Sequence, residues 1–151
     1  MSRGTLIAAL AEVPHRLGEA ARPGTTWAAP PGEWGPNEVV RHLIAVETDV
    51  HQARLADLAA DPGPHWDWVE PAPWSGEPGL GLEDLLTRFE ALRAATLTIV
   101  TVLDETGWAR TGTHARLGVW DVAALLRNAL EHDEQHLAGL AIGRRDEPRS
   151  E

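Results

Sequence analysis

The chain has 151 residues, of which 43% are hydrophobic and 24% charged, the profile of a single folded domain covering 1–151. It contains no cysteine, so disulfide scaffolds, zinc ribbons and thiol nucleophiles are excluded, and any metal site must use His, Asp or Glu. Thirteen basic against twenty-three acidic residues give a formal charge of −10, which repels phosphate backbones and removes nucleic acid from the expected partners. No apolar run approaches the roughly 20 residues that span a bilayer. Met1 to Thr5 leads into an alanine-rich amphipathic stretch, not a signal-peptide core. A cytoplasmic protein without a membrane partner is therefore expected.

Leu6, Ala9, Leu10, Val13 and Leu17 follow helical spacing, which predicts a first helix over 5–21, bent at Pro14. Arg22-Pro23-Gly24 ends it and a Pro/Gly-rich loop follows. Gly35-Pro36-Asn37-Glu38 then supplies a tolerable cap, a proline at the first helical position and an acid in the first turn. The second helix starts there, carries Val39, Leu43, Val46, Val50 and Ala53 on one stripe, and runs to about Ala60, where Asp61-Pro62-Gly63-Pro64 stops it. A long loop holding Trp66, Trp68 and Trp74 precedes a third helix over 82–105, with Gly107 just past its end. Asp121 is placed to cap a fourth helix, whose inward stripe is Val122, Leu125, Leu126, Ala129, Leu130, Leu137 and Leu140. Gly143 is expected to close it, with a frayed, charged tail from about 143. No run alternates like a half-buried strand and no repeat is present. The expected fold class is all-α: a four-helix bundle with long, crossover-type loops.

The segment Glu131-His132-Asp133-Glu134-Gln135-His136 is the most informative for chemistry. Histidines four apart on a helix are separated by about 40° and about 6 Å, and these two share the phase of Val122, Leu125, Ala129 and Leu140. Two imidazoles facing the interior side by side repel if protonated and are penalised by desolvation if unsatisfied. Either they are hydrogen-bonded core histidines, or a divalent cation relieves both problems. The spacing also matches the zincin pattern H-E-x-x-H, but Asp133 replaces the general-base Glu, and Ile142 stands where an extended motif would place a third histidine. The third ligand must then come from upstream, and His42, on the Val39, Leu43, Val46 face of the second helix, is the best candidate. His15, His51, His65 and His114 fit less well, although His114 lies in a loop that could fold over the site. Three His ligands with an open coordination position would describe a catalytic centre.

Trp34-Gly35-Pro36-Asn37-Glu38-Val39-Val40-Arg41-His42-Leu43 with Glu47, the stretch from Trp108 through Arg110, Gly112 and His114 to Gly118, and His132-Asp133-Glu134-Gln135-His136-Leu137 occur in that order. Together they resemble the DinB/YfiT-like metal-binding four-helix proteins, over roughly Leu6 to Ile142. The departures are Gly35, where Ser or Thr is the usual cap, and the bulky Trp120 before the last helix. The resemblance implies a divalent-metal site on His42, His132 and His136 in an often dimeric bundle. Relatives in that family include thiol-dependent transferases, a thiol-dependent maleylpyruvate isomerase and many proteins with no assigned reaction, so the site is better indicated than the substrate.

Further roles follow from helix phase. Asp49, seven residues after His42, returns to nearly the same face, so it either orients a ligand histidine or shows that the helix has turned into solvent. Glu47 is about 140° from His42 and is expected to pair with another helix or loop. Asp133 is expected at the surface or a dimer face. The loop tryptophans either roof a pocket or anchor the loop, and Arg110 and Arg116 either bind an anionic group or are merely solvated. The resulting expectation is a divalent-metal enzyme, with zinc favoured over nickel or iron, acting on a small molecule as a low-molecular-weight-thiol-dependent transferase or as a hydrolase. A homodimer is the expected assembly. The competing expectation is a non-catalytic metal-binding or stress-response bundle that works through protein contacts.

Overall fold

A computed structural model describes residues 1–24 and 29–145. Four helical bodies form the expected bundle. α1 (Arg3–Ala21) begins at Ser2, whose hydroxyl accepts the Thr5 N–H at 3.1 Å. The second body is continuous from α2 (Pro36–Val46) through a π-helical turn (Glu47–Gln52) into α3 (Ala53–Ala60). α4 spans Leu82–Thr101, and α6 spans Val122–Arg145 with Asp121 Oδ1 accepting from Ala124 N at 2.8 Å. α6 continues through Gly143 instead of closing there, and the charged tail over 146–151 lies outside the described residues.

Two features go beyond the sequence expectation. A short helix, α5 (Glu105–Ala109), follows α4, so Gly107 sits inside a helix and not past the end of one. A small sheet joins β1 (His65–Trp66), β2 (Thr111–His114) and β3 (Gly118–Asp121), with β1 parallel to β2 and β2 antiparallel to β3. These strands are two to four residues long, too short for alternation to register. The hairpin is built around Gly118, whose φ of +87° is available to glycine without strain. At Gly112 a Cβ would collide with the outer edge of the Trp66 ring, so the indole approaches the strand backbone closely there.

α1 packs on α6 and α4, and α2 packs on α4. One core cluster gathers Leu17, Val40, Leu43, Leu85, Phe89 and Leu137; the other gathers Leu6, Leu10, Leu55, Trp108, Leu125 and Leu126. Between them lies a buried polar centre. Arg93 of α4 donates from Nε to both Glu47 carboxylate oxygens (2.9 and 3.0 Å), from Nη2 to Asp133 Oδ2 (2.9 Å) and from Nη1 to the Leu10 carbonyl (3.0 Å). The Leu10 carbonyl is free because Pro14, four residues on, has no N–H to offer it. The bend expected at Pro14 is thus a docking point for a guanidinium. Glu47 pairs across helices as expected. Asp133, in contrast, is 1% exposed and neither at the surface nor on a dimer face; α6 is packed on more than one side, so a residue about 100° from His132 still faces protein.

Replacing Arg93 by Met leaves two carboxylates buried without their cation, and stability should fall by about 3–5 kcal/mol. The exposed Arg16–Glu134 pair, cut by Arg16→Met, should change it by no more than about 1 kcal/mol. Urea unfolding measures both, and equal effects would contradict this view of the core.

Candidate metal centre

His42, His132 and His136 come together as the sequence anticipated. His132 and His136 are one turn apart on α6, and α2 delivers His42 opposite them. His42 Nε2 is 3.3 Å from His132 Nε2, and His136 Nε2 is 3.2 Å from the same atom. The pairwise ring centroids are 4.6–5.3 Å apart. His42 is buried and the other two are half-buried.

The surroundings fix which nitrogen faces inward. His42 Nδ1 lies 2.8 Å from the Pro71 carbonyl, which can only accept, so this ring carries its proton on Nδ1 and presents a bare Nε2. The loop carrying Pro71 is held by the residue next to His42: Arg41 donates to the carbonyls of Trp74, Gly76 and Glu77, and its own carbonyl accepts from Trp74 N. Trp74 is an anchor, with Arg88 over its ring at 4.0 Å. Trp34 covers His42 at a centroid distance of 4.8 Å.

All three rings are held neutral. Burial and then the neighbouring imidazoles push His132 down to about 3, burial and His42 push His136 down to about 4, and burial lowers His42. Three neutral imidazoles suit a divalent cation: zinc–nitrogen bonds of about 2.0–2.1 Å in tetrahedral geometry imply nitrogens about 3.3 Å apart, a spacing two of the three pairs meet, with all three nitrogens within 4.8 Å of one another. The donor set therefore fits a metal ion. Among the described residues, His132 Nδ1 and His51 Nε2 are the buried side-chain polar atoms without a hydrogen-bond partner. A His132 that ligates through Nε2 must hold its proton on Nδ1; the His51 ring stands edge-on at 6.5 Å.

Asp49 does not orient a ligand. It is exposed and accepts from Thr48 Oγ1 at 3.2 Å. The π turn explains this, because one extra residue in the turn slips the phase of everything after it by about 100°. Val50 stays inward, as its place on the apolar stripe predicts, and His51 beside it is drawn in to 4% exposure. A single sequence pattern read at a constant 3.6-residue period gives no sign of such a slip, so His51 was missed. His15 is exposed beside Glu19, as its sequence position suggests, whereas His65 and His114 lie on strands β1 and β2 and not in loops, and His114 is buried at 3% exposure. Arg110 caps α3 by donating to the Leu58 and Ala59 carbonyls.

A helical bundle with three inward histidines on two helices defines the class of the molecule. The profile of the DinB superfamily matches residues 5–140, and the chain belongs to that superfamily. Among solved structures it is similar to YfiT from Bacillus subtilis, described as a probable metal-dependent hydrolase with an unusual four-helix bundle topology. The TM-score is 0.75 at 18% identity, covering 99% of this chain and 91% of that one. At that identity the likeness establishes the fold. No curated protein matches. No helix among the described residues is long and apolar enough to cross a membrane.

The shifts fix a pH dependence for the metal-free protein. His42, His51, His132 and His136 are all lowered by burial, so below about 6.5 the unfolded chain binds protons that the fold refuses, and stability falls as pH falls. Burial, with the Glu47 charge, pushes Asp133 up to about 7 against the pull of Arg93, and burial raises Glu47. These acids contribute stability that is lost as pH rises. With His114 lowered by burial as well, five bases outweigh two acids, so chelator-treated protein should lose stability from about pH 6.5 to about pH 4.5, and Asp133→Asn should steepen that loss. Urea midpoints across this range provide the check, and a rise towards acid would contradict the buried neutral cluster.

Proposed function

We propose that His42, His132 and His136 hold one divalent metal ion, zinc in preference to nickel or iron, and that the protein is an enzyme acting through it on a small molecule. The observation that carries this reading is the meeting of three Nε2 atoms, two of the pairs at 3.2–3.3 Å, in a group with no carboxylate or fourth histidine among the described residues. Three imidazoles leave zinc a position for water or substrate, as catalytic sites do. When bound, the ion would lower the pKa of a water or thiol enough to make a nucleophile near neutral pH.

The chain's own groups hold this arrangement. Pro71 fixes the His42 tautomer, Arg93 and Asp133 fix the helix that bears His132, and Trp34 covers one face of His42. No carboxylate joins the three rings as a ligand among the described residues, and the nearest acid acting on them is Glu70, whose charge favours a protonated His42. Two nucleophiles suit such a site. Water gives a hydrolase, which is how the similar YfiT is described. A low-molecular-weight thiol gives a transferase, as the family resemblance suggests. The proposal includes a cytoplasmic homodimer, and sedimentation at the mass of one chain would remove the dimer from it.

Each of His42→Ala, His132→Ala and His136→Ala should weaken zinc binding by more than about 100-fold, beyond the usual effect of losing an orienting partner, while His15→Ala leaves it unchanged. Competition against a chromophoric chelator measures this, and a full-affinity His132→Ala protein would end the proposal. In the cobalt-substituted protein, a thiol that enters the open position should change the d–d bands and add a charge-transfer band. A response to thiols selects the transferase; bands that respond to pH but not to thiols select the hydrolase. Bands that respond to neither, in metal-loaded protein, indicate a closed, non-catalytic ion.

A further inference from the structure

A second polar cluster lies outside the three histidines, where α3 meets the loop after β1 and the β2–β3 hairpin. Arg54 is 7% exposed, yet among the described residues no carboxylate stands within ion-pair distance of it. Its one hydrogen bond there, from Nη2 to the Asp67 carbonyl, is long at 3.3 Å. The guanidinium lies between the Trp66 and Trp120 rings, 5.6 and 5.9 Å from their centroids. Asp57, the nearest acid along α3, accepts from Trp66 Nε1 at 3.0 Å.

His114 adds a directed donor. Its Nδ1 accepts the backbone N–H groups of Arg116 and Leu117 at 3.0 and 3.2 Å, which places the ring proton on Nε2. That Nε2–H donates to no described residue and, not being among the buried unpartnered atoms, is open to solvent, while the ring stacks on Trp120 at 5.2 Å with Trp68 edge-on at 6.1 Å. Arg116 covers Trp68 from outside at 5.1 Å. Burial, followed by the Arg54 and Arg116 charges, keeps His114 neutral. In a chain with a net charge of −10, two guanidiniums and a fixed N–H donor thus share one small region in which the acids in range are Asp57, which acts on Arg54, and Asp67, which acts on His114. Neither acid reaches Arg54 as a contact ion pair, and a buried cation held only by acids at longer range is stabilised further when an anion binds it directly.

We propose that Arg54, His114 and Arg116 form a carboxylate-binding subsite, walled by Trp68 and Trp120, that receives the anionic end of the substrate. The guanidinium fork matches a carboxylate in two-point contact. Asp67 disfavours a doubly charged phosphate, and the indole rings accept a flat, apolar body behind the charge. The subsite is tied to the histidine trio at two points. Trp68 stands three residues before Pro71, a span of at most about 10 Å, and Arg54 lies three residues beyond His51, whose ring is 6.5 Å from that of His132. Only the role of this subsite in turnover rests on the metal-enzyme reading; its capture of a carboxylate does not.

The test uses chelator-treated, 15N-labelled protein titrated with benzoate and, separately, with neutral benzamide, following the His114 ring and Trp68 and Trp120 indole signals. Saturable shifts with benzoate but not benzamide, weakened by about 10-fold in Arg54→Gln and measurably in Arg116→Gln, are the expected result. Should Arg54→Gln fail to fold, the exposed Arg116→Gln decides. Identical responses to the two probes, the absence of saturable shifts, or affinity untouched by the substitutions would overturn the proposal. So would benzoate binding that appears only after zinc is added, since the carboxylate would then sit on the metal. A failed metal-enzyme reading shows itself separately, as a protein that takes up no zinc and still binds benzoate.

Discussion

The guanidinium of Arg93 reaches every helical body of the bundle from its place on α4. It bonds the Leu10 carbonyl of α1, the Glu47 carboxylate at the head of the π turn and the Asp133 carboxylate of α6. All three acceptors are specified by local sequence: Pro14 releases the carbonyl, and the two acids lie five residues after His42 and one residue after His132. Fixing Glu47 and Asp133 on one planar fork therefore also fixes α2 against α6, and with them the distance between the histidines they carry. Two carboxylates around one guanidinium leave an excess negative charge, which is why burial and Glu47 push Asp133 up to about 7. Such a centre is a weak source of net stability and a strong source of register.

The histidine trio was legible in the sequence because each member sits on regular α-helix. Spacing of four puts His132 and His136 on one face, and the Val39, Leu43 stripe gives the phase of His42. Legibility stopped where the helix departs from 3.6 residues per turn. From Glu47 to Gln52 the backbone is π-helical, so Asp49 turns out to solvent while His51 turns in beside Val50. Asp133 was misjudged for a different reason. The four-helix pattern shows which stripe of α6 is apolar, but not that Arg93 waits on α4 for an acid beside that stripe. The sheet is not legible because its strands are too short for alternation to register, and the close approach of Trp66 to Gly112 is not encoded in spacing.

The long loop after α3 joins these levels. Its proline- and tryptophan-rich composition first suggests either a roof or an anchor, and it provides both. Trp74 and the Arg41 contacts pin it to α2, Trp66 lies buried on the sheet, and Pro71 supplies the carbonyl that sets the His42 tautomer. Trp68, 46% exposed, is left facing the hairpin. One connection thus orients a histidine at one end and forms a wall beside Arg54 and His114 at the other. The likeness of the whole chain to a bundle of very different sequence fits a scaffold in which packing keeps the helices while such loops differentiate the site.

The central claim is that three neutral imidazoles present their Nε2 atoms to one metal ion and leave room for a further ligand. X-ray absorption at the zinc edge of protein loaded with one equivalent of zinc examines this without reference to any substrate. The account predicts three imidazole nitrogens at about 2.0–2.1 Å and one additional light atom that exchanges when an anion or thiol is added. A shell dominated by carboxylate oxygens, or one closed by four protein ligands, would contradict it.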